Sequence, residues 1–279
     1  MAIGVVLVQT QRIVNAADFA GKLDAWRHSQ DQPWNRLRYR LVEVNLLEII
    51  GAAGAVGGLA ILDIGGGDGR DALPLAQRGH VVTVVDYVPA MLTEAERCAA
   101  DAGIADRLRT LVVDIAREDL PFAPATFDVV LCHNVVQYLP DPEPLLRTAS
   151  DLLKPDGWLS LLAPNPASEA LRHALQLLDF QGALDHLDCE THRNLLFDVE
   201  IRLSDLPTLL AFLGNAALTP VDYRGVRCVN DYIREDEVKF SAEGFERLLA
   251  LELAMGRRSP YRDIARLWQI LARKFGSAV

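Results

Sequence analysis

Cysteine is scarce in this chain: four in 279 residues (Cys98, Cys132, Cys189 and Cys228), scattered and without a CxxC pair. That argues against a disulfide framework and a structural zinc site, and it suits a reducing compartment. Long apolar runs are missing as well. The start, Ile3 to Val8, has no basic flank and stops at Gln9, too short for a signal peptide or a membrane span. No later stretch reaches membrane length without charges, and there is no internal repeat or low-complexity segment. Positive charge is in deficit: a net charge of −10 argues against a broad basic face for nucleic acid. A cytoplasmic protein with no membrane partner is expected.

What is present is an alternation of strands and helices. Residues 16–50 carry apolar residues at helical spacing (Leu37, Leu41, Val44, Leu47), and the Gly/Ala-rich stretch 51–58 reads as a linker. Short apolar runs at 60–64, 81–85, 109–113, 128–132 and 158–163 read as buried strands, with amphipathic helices at 89–102 and 142–153 between them. Five strands with helical crossovers imply an α/β, Rossmann-like doubly wound sheet. Residues 165–200 show no strand signal and read as a helical insertion. A helix over 204–214, capped by Ser204 or Asp205, follows, and the runs 218–228 and 267–275 would close the sheet at seven strands. The expected division is a helical lid segment (1–58), a core (59–164), an insertion over the active site (165–203) and a closing part (204–279).

The chemistry centres on ILDIGGGDGRDALPLA, residues 61–76. A strand ends at Asp63-Ile64, and Gly65, Gly66, Gly67 and Gly69 precede a helix starting near Arg70; such glycines permit a tight turn and close backbone approach to a ligand. The third glycine of a dinucleotide fingerprint would fall on Arg70, and no Walker lysine follows, so dinucleotides and nucleoside triphosphates are disfavoured. Asp86 ends the second strand about 20 residues on, where an acid accepts ribose hydroxyls. Asp114 ends the third. Each acid taken alone is equally a helix cap; two at successive strand ends after a glycine turn point to a nucleoside ligand.

On these residues the chain resembles the class I S-adenosylmethionine (AdoMet)-dependent methyltransferases. LDIGGGDG, VVDYVPAML, FDVVLCHNVVQYL and LLKPDGWLSLLAPN are similar to the family's successive core motifs. NRLRYRLVEVNL (35–46), RDALPLAQRGH (70–80) and GVRCVNDYIRE (225–235) further resemble the bacterial tRNA 5-carboxymethoxyuridine methyltransferases, as does the tail 259–274. The resemblance implies AdoMet as cofactor: Arg38 on its carboxylate, Gly65, Gly66 and Gly67 along its backbone, Asp86 with Tyr87 at the ribose, Asp114-Ile115 at the adenine, and His133 over the methionine moiety.

Methyl transfer from a sulfonium needs an acceptor held on axis and water excluded. A carboxylate acceptor needs no general base; otherwise His133 is the candidate, its alternative being a cofactor-lining histidine. Arg224 and Arg227 are candidate clamps for a carboxylate, or else surface ion pairs with Asp222 or Glu235. Tyr138, Tyr223 and Tyr232 are candidates for the acceptor pocket, or else core aromatics. His186, Cys189 and His192 fall on neighbouring faces of one helix, but with no second ligand group nearby no metal site is expected. The acids and histidines of 165–200, and Pro33-Trp34-Asn35 before Arg36, depart from the tRNA subgroup. The expected function is methylation of an oxygen of a small metabolite, with a tRNA wobble uridine as the alternative acceptor and a non-catalytic AdoMet-binding protein as the reading from another class.

Overall fold

The computed structural model describes residues 22–52, 58–194 and 198–276. The apolar start, residues 16–21 of the expected N-terminal helix and residues 53–57 of the linker lie outside them. The described chain opens with two helices, α1 (Leu23–Gln30) and α2 (Pro33–Ala52), rather than one. Pro33 is the cause: its ring disfavours helical backbone in the residue before it, yet suits the first turn of the next helix.

Then come β1 (Ala60–Ile64), α3 (Ala72–Gln77), β2 (Val81–Asp86), α4 (Pro89–Asp101), β3 (Leu108–Val112), β4 (Phe127–His133), α5 (Glu143–Leu152) and β5 (Leu153–Pro164). The insertion holds α6 (Ala167–Arg172), a π-helical turn (His173–Leu177), α7 (Phe180–Asp185) and, unlike the wholly helical segment expected, a hairpin of β6 (Thr191–Asn194) and β7 (Val199–Arg202). The chain closes with α8 (Leu206–Asn215), β8 (Thr219–Val226), α9 (Asp236–Phe240), α10 (Ala242–Met255) and β9 (Leu267–Arg273). Of the two caps expected for α8, Asp205 serves, its carboxylate accepting from the Thr208 N–H at 2.9 Å.

The main sheet has seven strands in the order β3-β2-β1-β4-β5-β9-β8. β9 runs antiparallel between β5 and β8, so the two closing runs complete the seven strands expected. Both faces are covered, which is why the strands read as continuous apolar runs. Val130, Cys132, Leu159 and Leu161 pack with Leu146 and Ala149 of α5 and with Leu209 and Leu213 of α8. On the opposite face Val129, Leu131 and Val84 meet α3, α4 and the end of α2, while Leu37 and Leu41 of α2 meet Leu248 and Leu249 of α10. The insertion has little core of its own. Leu177, Leu178, Phe180 and Leu187 are exposed, and the segment is tied down where Gln176 and Arg234 reach across to the main-chain carbonyls of Asp231 and Leu175.

Candidate active site

Strand register builds the site. Ile64 pairs with Val85 and with Cys132, and Val85 pairs with Leu111, so the carboxyl ends of β1, β2, β3 and β4 finish level. The chain leaves β1 toward β2 and β3 on one side, while β4 and β5 lie on the other, and a crevice opens at that switch point. The glycine turn fills its floor. Gly65 has φ +67°, and a Cβ there would lie 2.7 Å from Val135 Cγ2, so an L side chain is doubly excluded. The Gly65 and Gly66 N–H groups donate to Val85 O, and the Gly67 N–H donates to Asp86 Oδ2 at 3.0 Å. Asp86 Oδ1 accepts from the Val88 N–H at 2.9 Å. Asp86 is thus both a loop anchor and, with lone pairs to spare, an acceptor facing the crevice.

Around this floor the acids are buried. Asp63 is 1% exposed, its Oδ2 has no hydrogen-bond partner among the described residues, and burial together with Asp71 and Asp86 pushes its carboxyl well above the usual range. Burial would also raise Asp71, but Arg38 and His133 outweigh it and hold that carboxyl at about 2. Arg38 Nη1 and His133 Nδ1 each lie 3.3 Å from Asp71 Oδ2, and the Arg38 guanidinium stacks 3.6 Å from the Tyr39 ring centroid. Arg70 pairs with Asp68 at 2.9 Å and Asp31 at 2.7 Å, closing α1 over this end.

The other end is basic. Arg227, at φ +63°, grips Asp231 through Nε and Nη2 at 2.6–2.8 Å. The Arg266 N–H donates to Arg227 O at 3.0 Å, and the Arg266 side chain pairs with buried Glu169. Arg172 Nε and His192 Nδ1 approach the same carboxylate at 3.0 and 3.4 Å. Burial works to raise Glu169, but Arg266, His192 and Arg172 bring its carboxyl below the usual value. Two strained positions, Arg227 and Asn134 (φ +57°), both border the crevice, as strained backbone does at functional sites.

One cavity of about 630 Å³ joins the two ends. It brings together Arg38, Gly65, Gly66, Gly67, Asp86 and Tyr87, with Asp114, Ile115, His133, Tyr138 and Arg227. β3 stops at Val112, so Asp114 follows the strand in a turn, where its Oδ1 also accepts from the Ala116 N–H. Three expected residues are not brought in. Tyr232 turns its hydroxyl to Ile264 O at 3.4 Å, Tyr223 donates to Asp263 Oδ1, and Arg224 is buried against Glu48 and Asp222. Nor do His186, Cys189 and His192 share a helix: His186 caps α7, Cys189 donates to Thr191 O, and His192 lies in β6. The sequence reading assigned no site role to Asp63, Asp71, Glu169, Arg172 or Arg266. Asp63 and Asp71 flank the glycine run and could have been found there; the other three carry no motif.

A doubly wound sheet with a glycine turn and acids at the switch point defines a nucleoside-cofactor scaffold. Comparison with known proteins narrows it. Residues 62–161 match the methyltransferase domain family. The chain is 30% identical over 217 residues to a tRNA 5-carboxymethoxyuridine methyltransferase of Escherichia coli, covering 77% of this chain and 80% of that one. It is 30% identical to a ubiquinone biosynthesis O-methyltransferase of Chromobacterium violaceum over 64% of this chain and 75% of that one. Among solved structures, the 1,6-didemethyltoxoflavin-N1-methyltransferase of Burkholderia thailandensis, with bound S-adenosylhomocysteine, superposes with a TM-score of 0.58 at 20% identity, over 94% of this chain and 87% of that one. The chain belongs to the class I S-adenosylmethionine-dependent methyltransferases. No helix among the described residues is long and apolar enough to cross a membrane.

Proposed function

We propose that this enzyme transfers a methyl group from AdoMet to a carboxylate oxygen of a small anionic metabolite. The observation that carries the reading is the charge polarity of the cavity. Asp63, Asp68, Asp71, Asp86 and Asp114 outnumber Arg38 and Arg70 at the end that carries the glycine turn, whereas Arg172, Arg227 and Arg266 outnumber Glu169 and Glu200 at the other. AdoMet brings a sulfonium and an ammonium, which suit the acidic end, and Asp63 Oδ2, without a hydrogen-bond partner among the described residues, is an acceptor to spare there. In this reading Arg38 binds the cofactor's carboxylate, Gly65, Gly66 and Gly67 pass along its backbone, and Asp86 with Tyr87 receives the ribose. Asp114 and Ile115 take the adenine, and His133 closes the methionine side.

When bound, the cofactor supplies an electrophilic methyl whose departure leaves a neutral thioether, so the protein's task is to hold the acceptor in line and keep water out. Arg227 Nη1 makes no hydrogen bond among the described residues, and Arg227 is the residue we assign to the acceptor's carboxylate. A carboxylate needs no general base, so His133 acts without exchanging a proton with it. The helices before β1 and the insertion 165–203 serve as lids: Trp26 and Gln30 border the cofactor end, while His192, Asn194 and Ile201 border the acceptor end.

The tRNA relative favours a second reading, a wobble-uridine carboxylate as acceptor. Against it stand the net charge of −10 and a count of only four lysines. Of these, Lys154, Lys239 and Lys274 are engaged with Asp128, Asp236 and main-chain carbonyls. Incubation with methyl-labelled AdoMet and fractionated cell extract separates the two. Label is expected in base-labile methyl esters of the metabolite fraction, and label confined to RNA would overturn the small-molecule reading. Arg227→Ala is expected to raise the acceptor KM by about 10- to 100-fold, the loss of one charged hydrogen bond, with AdoMet affinity within about twofold of wild type.

A further inference from the structure

A continuous line of buried polar side chains crosses one face of the sheet and ends at the cavity. Arg224 on β8, Gln269 on β9, Ser160 on β5 and His133 at the end of β4 share that face, and Asn45 reaches down from α2. Gln269 and Ser160 are fully buried and Asn45 nearly so, among Leu41, Leu131, Leu162 and Leu271. An apolar interior offers no reason for a polar line unless its members satisfy one another, and along the line they do, with His133 Nδ1 at the cavity end left without a formed hydrogen bond among the described residues.

The direction of the line is forced from both sides. Arg224 can only donate, and its Nη1 lies 3.2 Å from Asn45 Oδ1. The Asn45 amide must then give its Nδ2 to Gln269 Oε1, at 3.0 Å. Independently, Val42 O can only accept, and it receives Gln269 Nε2 at 3.2 Å. The second Nε2 hydrogen goes to Ser160 Oγ at 3.0 Å. Ser160 Oγ is 2.8 Å from His133 Nε2, and since its only other partner among the described residues is the donating Gln269 amide, its own hydrogen goes to that nitrogen. His133 Nε2 is therefore the acceptor, and the ring proton sits on Nδ1, which faces Asp71 Oδ2 at 3.3 Å. That last contact lies off the line of a formed hydrogen bond, so a small movement of ring or carboxylate completes it.

We infer that this relay fixes His133 as the neutral Nδ1–H tautomer, so that Asn45, Gln269 and Ser160 are positioning residues for the His133–Asp71–Arg38 group at the cofactor end. His133 is then an orienting donor whose lone pair is already taken, not a base. Through it the relay sets Asp71, which in turn aims Arg38. The tautomer follows from the hydrogen bonds alone, whatever the acceptor. The consequence for cofactor binding rests on the assignment of Arg38 proposed above.

The test is long-range nitrogen–proton NMR on enzyme labelled with ¹⁵N-histidine. It has six histidines, and His133 is identified by the signals lost in His133→Asn. Wild type is expected to show a protonated Nδ1 and a lone-pair Nε2. In Gln269→Glu the carboxylate would capture the Ser160 hydroxyl, so His133 Nε2 is expected to gain a proton and AdoMet Kd to rise by about tenfold, the loss of one or two hydrogen bonds. Should that variant not fold, Ser160→Ala is expected to give a mixture of tautomers with a similarly raised Kd, and Ser160→Thr to restore both. An Nε2–H tautomer in wild type, or a tautomer unmoved in the folded variants, would overturn the relay. A shifted tautomer with unchanged AdoMet affinity would overturn its positioning role.

Discussion

Asp63 shows how a single side chain divides stability from binding. Its carboxyl is buried, one oxygen has no donor among the described residues, and Asp71, Asp86 and Asp68 lie near. The folded protein therefore holds the Asp63 proton more tightly than the unfolded chain. Its contribution to stability is full below about pH 4, the unfolded value, and is lost as pH rises through the folded one. Asp63→Asn removes that cost. The cofactor-free variant is expected to melt about 2–4 °C higher, about 1 kcal/mol for a chain of this size, while binding AdoMet more weakly; a melting point at or below wild type would show that the carboxylate is already compensated. Asp86 is raised by burial too, but unlike Asp63 both its oxygens are partnered, by the Gly67 and Val88 N–H groups. Asp86→Ala is expected to weaken AdoMet by about 100-fold or more, measured by calorimetry, because loop and ribose lose one acceptor together. Affinity close to wild type would move the ribose elsewhere.

At the scale of elements, the loop after β8 is the part that most needs outside support. Three successive N–H groups, of Cys228, Val229 and Asn230, converge on the carboxylate of Glu252, which α10 holds fully buried behind them. The same loop carries Arg227 in its left-handed conformation. Glu252→Gln keeps the volume but turns one acceptor oxygen into a donor facing N–H groups. Loss of about 1–3 kcal/mol is expected in urea unfolding, with the acceptor KM raised and AdoMet affinity unchanged; equal loss of both affinities would show that the loop serves the whole cavity.

The elements themselves were unevenly legible. β1 to β5 could be read because burial on both faces demands unbroken apolar runs. β6 and β7 could not: Thr191–Asn194 has no apolar residue, and in Val199–Arg202 only Val199 and Ile201 face inward, against Tyr138. Such a hairpin is stable only because a cavity wall already exists to receive it.

For the molecule as a whole, acid is a useful probe because its carboxylates titrate with opposite signs. Asp71, Glu169 and Asp231 are depressed: burial opposes each, and the facing cations prevail. The stability they lend is present above about pH 4 and is lost as pH falls through their folded values, for Asp71 about 2. Asp63, Asp86 and Glu252 are raised, chiefly by burial, and act in the other direction. Urea midpoints measured between pH 4 and pH 2 are expected to fall less steeply for Asp71→Asn than for wild type; parallel slopes would mean that Arg38 and His133 do not hold Asp71 down.

The amino-acid sequence by itself determined the doubly wound core, the glycine turn and the strand-end acids, because these depend on local backbone geometry and on periodic burial, both written in consecutive residues. Only the tertiary structure decided which charges meet. Arg224 and Arg227 lie three residues apart in the sequence, yet one anchors a buried relay and the other borders the cavity. Arg266 and Glu169, almost a hundred residues apart, form a single pair. Coulombic and hydrogen-bond partners are chosen by distance in space, and in a sheet ordered β3-β2-β1-β4-β5-β9-β8 that distance bears little relation to separation along the chain.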